Sequence, residues 1–231
     1  MLRYREYAEY TTTRQSRFWT AFANALGFVV LPPIRLLCRV FPPLRRAVNN
    51  TPGGRMGAAF RAREGGDHRG AFLTAMEGLG KCRFATDMDP GEFMADLNWW
   101  MFMDLASTEA EHLGDADRVQ VAQVLDAAPA PGGMFAAKSL CRVSVWRWKA
   151  GDRDGAIKLA RLAVLADASW VHTHVLLGWF GLVSGSFDPL PHLREALRVD
   201  PSCGESIRTN ADLAAAPGLL KSLGLADGPP S

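Results

Sequence analysis

Two histidines, His172 and His174, are of a residue type that binds metal ions, but their spacing argues against a shared site. Residues two apart on a helix point about 200° away from each other, so one helix cannot direct both rings at one metal ion. The acidic residues Asp87, Asp89 and Glu92 resemble part of a calcium loop without its third short acid and its closing bidentate glutamate. The sequence therefore predicts a solvated acidic loop, no metal site and no cofactor.

Motifs for covalent or phosphate chemistry are also missing from the sequence. It contains no nucleophile elbow, phosphate loop, HExxH sequence or Rossmann fingerprint. The Gly53-Gly54 and Gly132-Gly133 pairs follow prolines and are typical of turns that open helices. The chain is therefore predicted not to be an enzyme. A small enzyme on a helical scaffold, with Asp87, Asp89 or His172 in a cleft, remains an alternative.

Charge is unevenly distributed along the 231 residues. The whole chain has 26 basic and 24 acidic residues, but residues 1–63 contain eleven arginines and two acids. The net charge is +9 for this segment and −7 for the remainder. A basic segment joined to an acidic body favours contact with an anionic surface, either phospholipid or nucleic acid.

The basic segment also contains an apolar run at residues 18–31, followed by the Pro32-Pro33 pair. A helix of fourteen residues is about 21 Å long, which is shorter than a hydrocarbon core of about 30 Å. Prolines rather than small residues follow the run, so signal cleavage is not expected. Between the two proline pairs, Arg35 and Arg39 share one helical face and apolar residues cover the other. This pattern predicts helices that lie in the plane of a membrane surface.

Three interpretations of residues 1–50 remain open: membrane contact, packing against the body, and nucleic-acid binding. The last is disfavoured because the segment is rich in Leu, Val and Phe and has no base-reading module. Aromatic side chains suit the headgroup boundary, and arginines suit anionic lipid. The predicted membrane or docking residues are Phe18, Trp19, Phe22, Arg35, Arg39, Arg45 and Arg46.

An internal repeat organises the sequence from residue 52 onward. The segment GDHRGAFLTAMEGL beginning at Gly66 resembles GDRDGAIKLARLAVL beginning at Gly151, and weaker copies begin at Gly114 and Gly185. Each copy places a turn before a helix with small residues every three or four positions. With the turn glycine at the fifteenth place, the eighth place is small in all four copies: Ala59, Ser107, Ser144 and Gly178. The twentieth place is Ala71, Val119 and Ala156, and the twenty-seventh is Gly78, Asp126 and Ala163.

This pattern resembles the tetratricopeptide repeat, a helix–turn–helix unit of about 34 residues. The resemblance covers roughly residues 52–201 and is strongest in LREALRVDP, residues 193–201. It implies an all-α solenoid of about four helical hairpins, in which small side chains let paired helices cross closely. The predicted organisation is a basic, apolar arm at 1–50, a repeat domain at 51–225 closed by a capping helix, and a disordered tail at 226–231.

The resemblance also implies a concave groove that binds a protein or peptide. Most of the seven tryptophans are expected in the core, but Trp148 and Trp179 fall at or beside groove-lining places, where an exposed ring would anchor a peptide. Lys138, Arg142 and Lys149 could bind acidic groups there. The full polar set for this face is Asp104, Glu111, Lys138, Arg142, Lys149 and His172.

These observations predict a non-enzymatic scaffold or adaptor, associated with a membrane surface through its N-terminal arm. The alternative is a structural subunit of a larger assembly, with the arm docked on a partner protein. The four cysteines are far apart and form no CxxC pair, which is typical of reduced thiols, with a disulfide as the alternative. The expected location is the cytoplasm, at the inner face of the cell membrane.

Overall fold

The computed structural model describes residues 43, 50–82, 90–126, 128 and 131–225, and side chains of the third helix from Asn98 onward. Within these ranges the regular structure is entirely helical, which confirms the all-α prediction. None of the helices there is both long and apolar enough to cross a bilayer. The predicted arm residues lie outside the described residues, namely Phe18, Trp19, Phe22, Arg35, Arg39, Arg45 and Arg46, and so do Asp87, Asp89 and the tail 226–231.

Eleven helices follow one another through the described part of the chain. They are α1 (Pro52–Glu64), α2 (His68–Lys81), α3 (Pro90–Leu113), α4 (Asp115–Leu125), α5 (Gly133–Lys149), α6 (Arg153–Ala166), α7 (Val171–Ser184), α8 (Leu190–Val199), α9 (Cys203–Thr209), α10 (Ala211–Ala215) and α11 (Leu219–Ser222). The most extensive contacts join α2 with α3, α5 with α6 and α7 with α8. Helices α3 and α5, and likewise α6 and α7, connect these pairs.

The two strongest copies of the repeat form the same turn. Gly66 and Gly151 both have positive φ, 78° and 90°, a region that glycine enters without steric cost. The aspartate that follows each glycine caps the next helix: Asp67 Oδ1 accepts from the Gly70 backbone N–H at 2.7 Å, and Asp152 Oδ1 accepts from Gly155 at 2.9 Å. The shared Gly-Asp-x-x-Gly sequence therefore specifies where α2 and α6 begin.

The small residues at the eighth place are all buried. Ala59, Ser107 and Ser144 have no exposed surface, and Gly178 is also buried. A Cβ atom at Gly178 would lie 2.7 Å from Cδ2 of Leu193, so α7 and α8 cross too closely for any larger side chain. A Cβ atom at Gly78 would lie 2.5 Å from the Phe102 ring, so α2 and α3 pack closely at this glycine.

The second copy departs from the predicted register. Val119 is 55% exposed and Asp126 is the exposed cap that ends α4, so neither residue lies at a helix crossing. Gly114 has an extended backbone, and the aspartate after it belongs to the first turn of α4 rather than capping it. Val121 and Leu125 are the buried residues of this helix. The alignment of this copy was therefore wrong after its turn.

Three clusters of buried residues hold the helices together. The largest includes Phe72, Phe102 and Met103, and a second contains Trp148, Leu177 and Phe180. The third joins α8 to the short C-terminal helices, where Ile207, Leu213 and Leu219 are buried against Leu193. The short C-terminal helices therefore pack against α8.

Candidate partner-binding surfaces

The three predicted cations of α5 share one face of that helix. At 100° per residue, Lys138, Arg142 and Lys149 fall within about 40° of arc. Lys149 is exposed and Lys138 is half-buried, and neither forms an ion pair with any described residue. We call this the α5 face.

Arg142 lies between two predicted acidic residues of α3. Its Nη1 donates to Asp104 Oδ1 at 3.1 Å and to Ser107 Oγ at 2.6 Å, and its Nε lies 3.5 Å from Glu111 Oε1. The arginine and Asp104 side chains are only 19% and 18% exposed. The residues predicted for this surface are therefore neighbours in the structure. Arg142, however, is already paired with Asp104 and Glu111, and these contacts join α5 to α3.

His172, on the first turn of α7, is next to the same face. Its ring stacks on Trp170 with the centroids 5.2 Å apart. Burial is the main cause that lowers the pKa of His172; the Asp200 carboxylate raises this pKa, and the Lys138 ammonium lowers it. Because a low pKa favours the neutral imidazole, the lysines supply the positive charge here at neutral pH.

The two tryptophans proposed as exposed anchors are mostly in the core. Trp148 is 7% exposed and stacks on Phe180 at 4.4 Å, so the expectation of an open ring is wrong for this residue. Trp179 is partly buried and its Nε1 donates to Asp212 Oδ2 at 2.7 Å. Both rings fill space between helices, where a large aromatic side chain contributes most of its stabilisation.

A different surface contains the open space. Two adjoining clefts, of about 390 and 310 Å³, lie between α6 and the turn after α7. Both are lined by Asp154, Ile157 and Ser186. Their combined size is in the range of small-ligand and peptide side-chain sites. We call this surface, lined also by Trp148, Arg153, Lys158, Arg161, Leu162, Val183 and Ser184, the α6 cleft.

Three cations border the α6 cleft: Arg153, Lys158 and Arg161. None of them is within 4.0 Å of a carboxylate among the described residues. Two are held by aromatic rings, because the Arg153 guanidinium lies 3.8 Å from the Trp148 centroid and that of Arg161 lies 5.3 Å from Phe187. Asp154 is the one acid among the described lining residues, so the cleft carries an excess of positive charge.

These cations were not among the residues predicted from the sequence, although the sequence contains a signal for them. On a helical wheel, residues 153, 154, 157, 158 and 161 of α6 fall within about 140° of arc, which is one face of the helix. The other wall comes from Val183, Ser184 and Ser186, around Gly185, which adopts the left-handed conformation. The approach of this wall to α6 depends on tertiary packing and has no local sequence pattern.

Comparison with known proteins gives no assignment, since no family model, curated protein or solved structure matches the chain. Among the residues that the structure describes, no three metal-binding side chains are grouped together. Cys82, Cys141 and Cys203 are free thiols, and burial raises the pKa of Cys141 to about 12.

Proposed function

We propose that this protein is a non-enzymatic scaffold of tetratricopeptide-like helical hairpins that binds a protein partner. The observation that carries the proposal is the burial of the small residues Ala59, Ser107, Ser144 and Gly178 at the same place of the four copies, with a close crossing of α7 and α8 at Gly178. Stacked pairs of this kind leave extended faces on both sides of the array, and such faces usually bind rather than catalyse. The α5 face is the proposed partner surface, where Lys138 and Lys149, without an ion pair to any described residue, lie beside the Arg142 network.

The same proposal assigns residues 1–50 to the membrane surface. Support comes from the sequence alone: an apolar run too short to span, prolines that break the helix, and a net charge of +9 over residues 1–63. The scaffold would then hold its partner at an anionic leaflet, on the cytoplasmic side.

Site-specific photo-crosslinking in the native cell tests both parts of the proposal. A photoreactive amino acid at Lys149 is expected to give a discrete protein adduct, because this side chain is exposed on the α5 face. The matched control is Lys221, which is exposed on α11, near the C-terminal end of the described residues. Adducts that are absent at Lys149, or equally abundant at both positions, would contradict the scaffold proposal.

The same chemistry at Phe22 distinguishes the two interpretations of the arm. Crosslinking to phospholipid is the expected result for an in-plane membrane helix. A protein adduct at Phe22, with no lipid adduct, would favour the structural subunit whose arm docks on a partner. Ser206, exposed on α9, serves as the control position for non-specific lipid labelling.

A further inference from the structure

We propose that the α6 cleft is a second binding site, for an extended acidic segment of a partner protein. The inference extends the proposed scaffold function and names the chemistry of one ligand. It begins from three cations, Arg153, Lys158 and Arg161, that surround open space and have no carboxylate partner within 4.0 Å among the described residues. Unpaired arginines at the wall of a cleft are suited to bidentate binding of carboxylate groups.

The arginines are positioned before any ligand arrives. Trp148 is almost fully buried, and its ring carries the Arg153 guanidinium at 3.8 Å. Phe187 places Arg161 in a similar way at the other end of the cleft. An arginine that already rests on a ring loses less side-chain freedom on binding than one that moves freely in solvent. Asp154 is the one acid in the lining, so the cleft keeps an excess of positive charge.

The spacing of the cations indicates an extended peptide. Arg153 and Arg161 are eight residues apart, which is about 12 Å along the helix axis. In an extended chain, side chains on one face recur about every 6.6 Å, so residues i and i+4 are about 13 Å apart. Acidic residues at alternate positions would therefore reach both arginines, with Lys158 between them. On the opposite wall the Ser184 and Ser186 hydroxyls hydrogen-bond each other at 2.6 Å, and the Ser186 oxygen keeps capacity for one bond to the peptide backbone.

Apolar contacts accompany the charges. Ile157 and Val183 line the cleft, and Leu165, four residues beyond Arg161 on the same side of α6, is 78% exposed. Side chains that alternate with the acids could pack on this surface, because neighbouring residues of an extended chain point to opposite sides. The preferred ligand is therefore an acidic segment with intervening apolar residues.

The test uses fluorescence anisotropy with the full-length protein and a labelled peptide that carries three glutamates at alternate positions, separated by valines. Binding is expected to weaken with added salt and to fall by about tenfold in each of R153Q and R161Q, since each loses one charge-assisted contact. A peptide with glutamine in place of glutamate should not bind. Unfolding curves that match the wild type would confirm that both variants are folded.

The matched control is K221Q, which removes an exposed cation of α11, outside both proposed surfaces, and K149Q is measured beside it to test the α5 face. Both variants should leave the peptide affinity unchanged. If K149Q weakens binding and R161Q does not, the acidic segment binds the α5 face, so the second site is refuted while the scaffold proposal stands. Absence of peptide binding would also refute the second site. So would the finding that R153Q and R161Q weaken binding of the protein to phosphatidylserine vesicles but not to the peptide. Failure of the scaffold proposal itself is read separately, from the Lys149 crosslinks.

His192 provides a second measurement at the same site. Its ring contacts Phe187 edge-on, and its pKa is lowered by burial, by His174 and by Arg161, against an upward effect of Asp188. Bound carboxylates near Arg161 would offset the guanidinium charge. NMR titration of the His192 ring should therefore show a higher pKa in the peptide complex. An unchanged pKa at saturating peptide would overturn the assignment of the ligand to this cleft.

Discussion

Replacing Gly78 by leucine is expected to lower the free energy of unfolding by about 2–3 kcal/mol, because the new side chain would overlap the Phe102 ring. Three ring carbons of Phe102 lie 2.5–2.6 Å from the position of a Cβ atom at Gly78. Phe102 is fully buried in the largest cluster, so its ring has no free space to enter. The measurement is urea denaturation of G78L and the wild type.

Gly80 is the matched control on the same helix. No atom lies within 4 Å of a Cβ built at this glycine, and the residue is exposed. G80L is expected to leave stability unchanged or to raise it by up to about 0.7 kcal/mol, because leucine favours the helix over glycine. Equal unfolding midpoints for G78L and G80L would show that α2 and α3 do not cross at Gly78.

Removing the Arg63 side chain is expected to cost about 2–3 kcal/mol of unfolding free energy, since it leaves the buried Glu109 carboxylate without its arginine counter-charge. The Glu109 side chain has no exposed surface. Arg63 Nε lies 3.2 Å from its Oε1, and His68 Nδ1 lies 2.7 Å from its Oε2. No aligned hydrogen bond to Oε1 comes from any described residue, so arginine acts there through its charge. Thermal unfolding of R63A measures the loss.

Two further variants distinguish this explanation from a general effect of losing arginine. Arg61 is exposed on the same helix, and R61A should change stability by less than about 0.5 kcal/mol. In the R63A background, E109Q should restore part of the lost stability, because glutamine can be buried without a counter-charge. An R63A protein as stable as R61A would contradict the proposed role of the buried carboxylate.

Local sequence patterns were sufficient for the starts of α2 and α6 and for the small buried residue at the eighth place of each copy. The Gly-Asp-x-x-Gly sequence predicts the turns before α2 and α6. The first glycine permits positive φ, and the aspartate side chain accepts a hydrogen bond from the backbone N–H three residues later, which caps the helix. Gly78 and Gly178 were identified as crossing residues because their spacing in the repeat placed them on the buried face. Each of these features depends on residues close together in the chain.

The surfaces were harder to predict, because they depend on contacts between distant segments. Trp148 was expected to be open, but Phe180 from α7 covers one side of the ring and Arg153 lies over a face of it. Val119 was placed at a crossing by alignment, although the turn at Gly114 shifts the buried face of α4 to Val121. Arg142 was predicted from the sequence to bind acidic groups of a partner, but in the structure it forms an ion pair with Asp104 of α3.

Both proposed binding surfaces depend on the close crossing of paired helices, and Gly178 offers the most direct measurement of that crossing. In full-length, isotope-labelled protein, a strong nuclear Overhauser effect is predicted between the Gly178 α-protons and the Leu193 methyl groups, because the Leu193 side chain lies directly over this glycine. If Leu193 showed no contact with Gly178 while both residues gave well-resolved signals, α7 and α8 would not form the proposed pair.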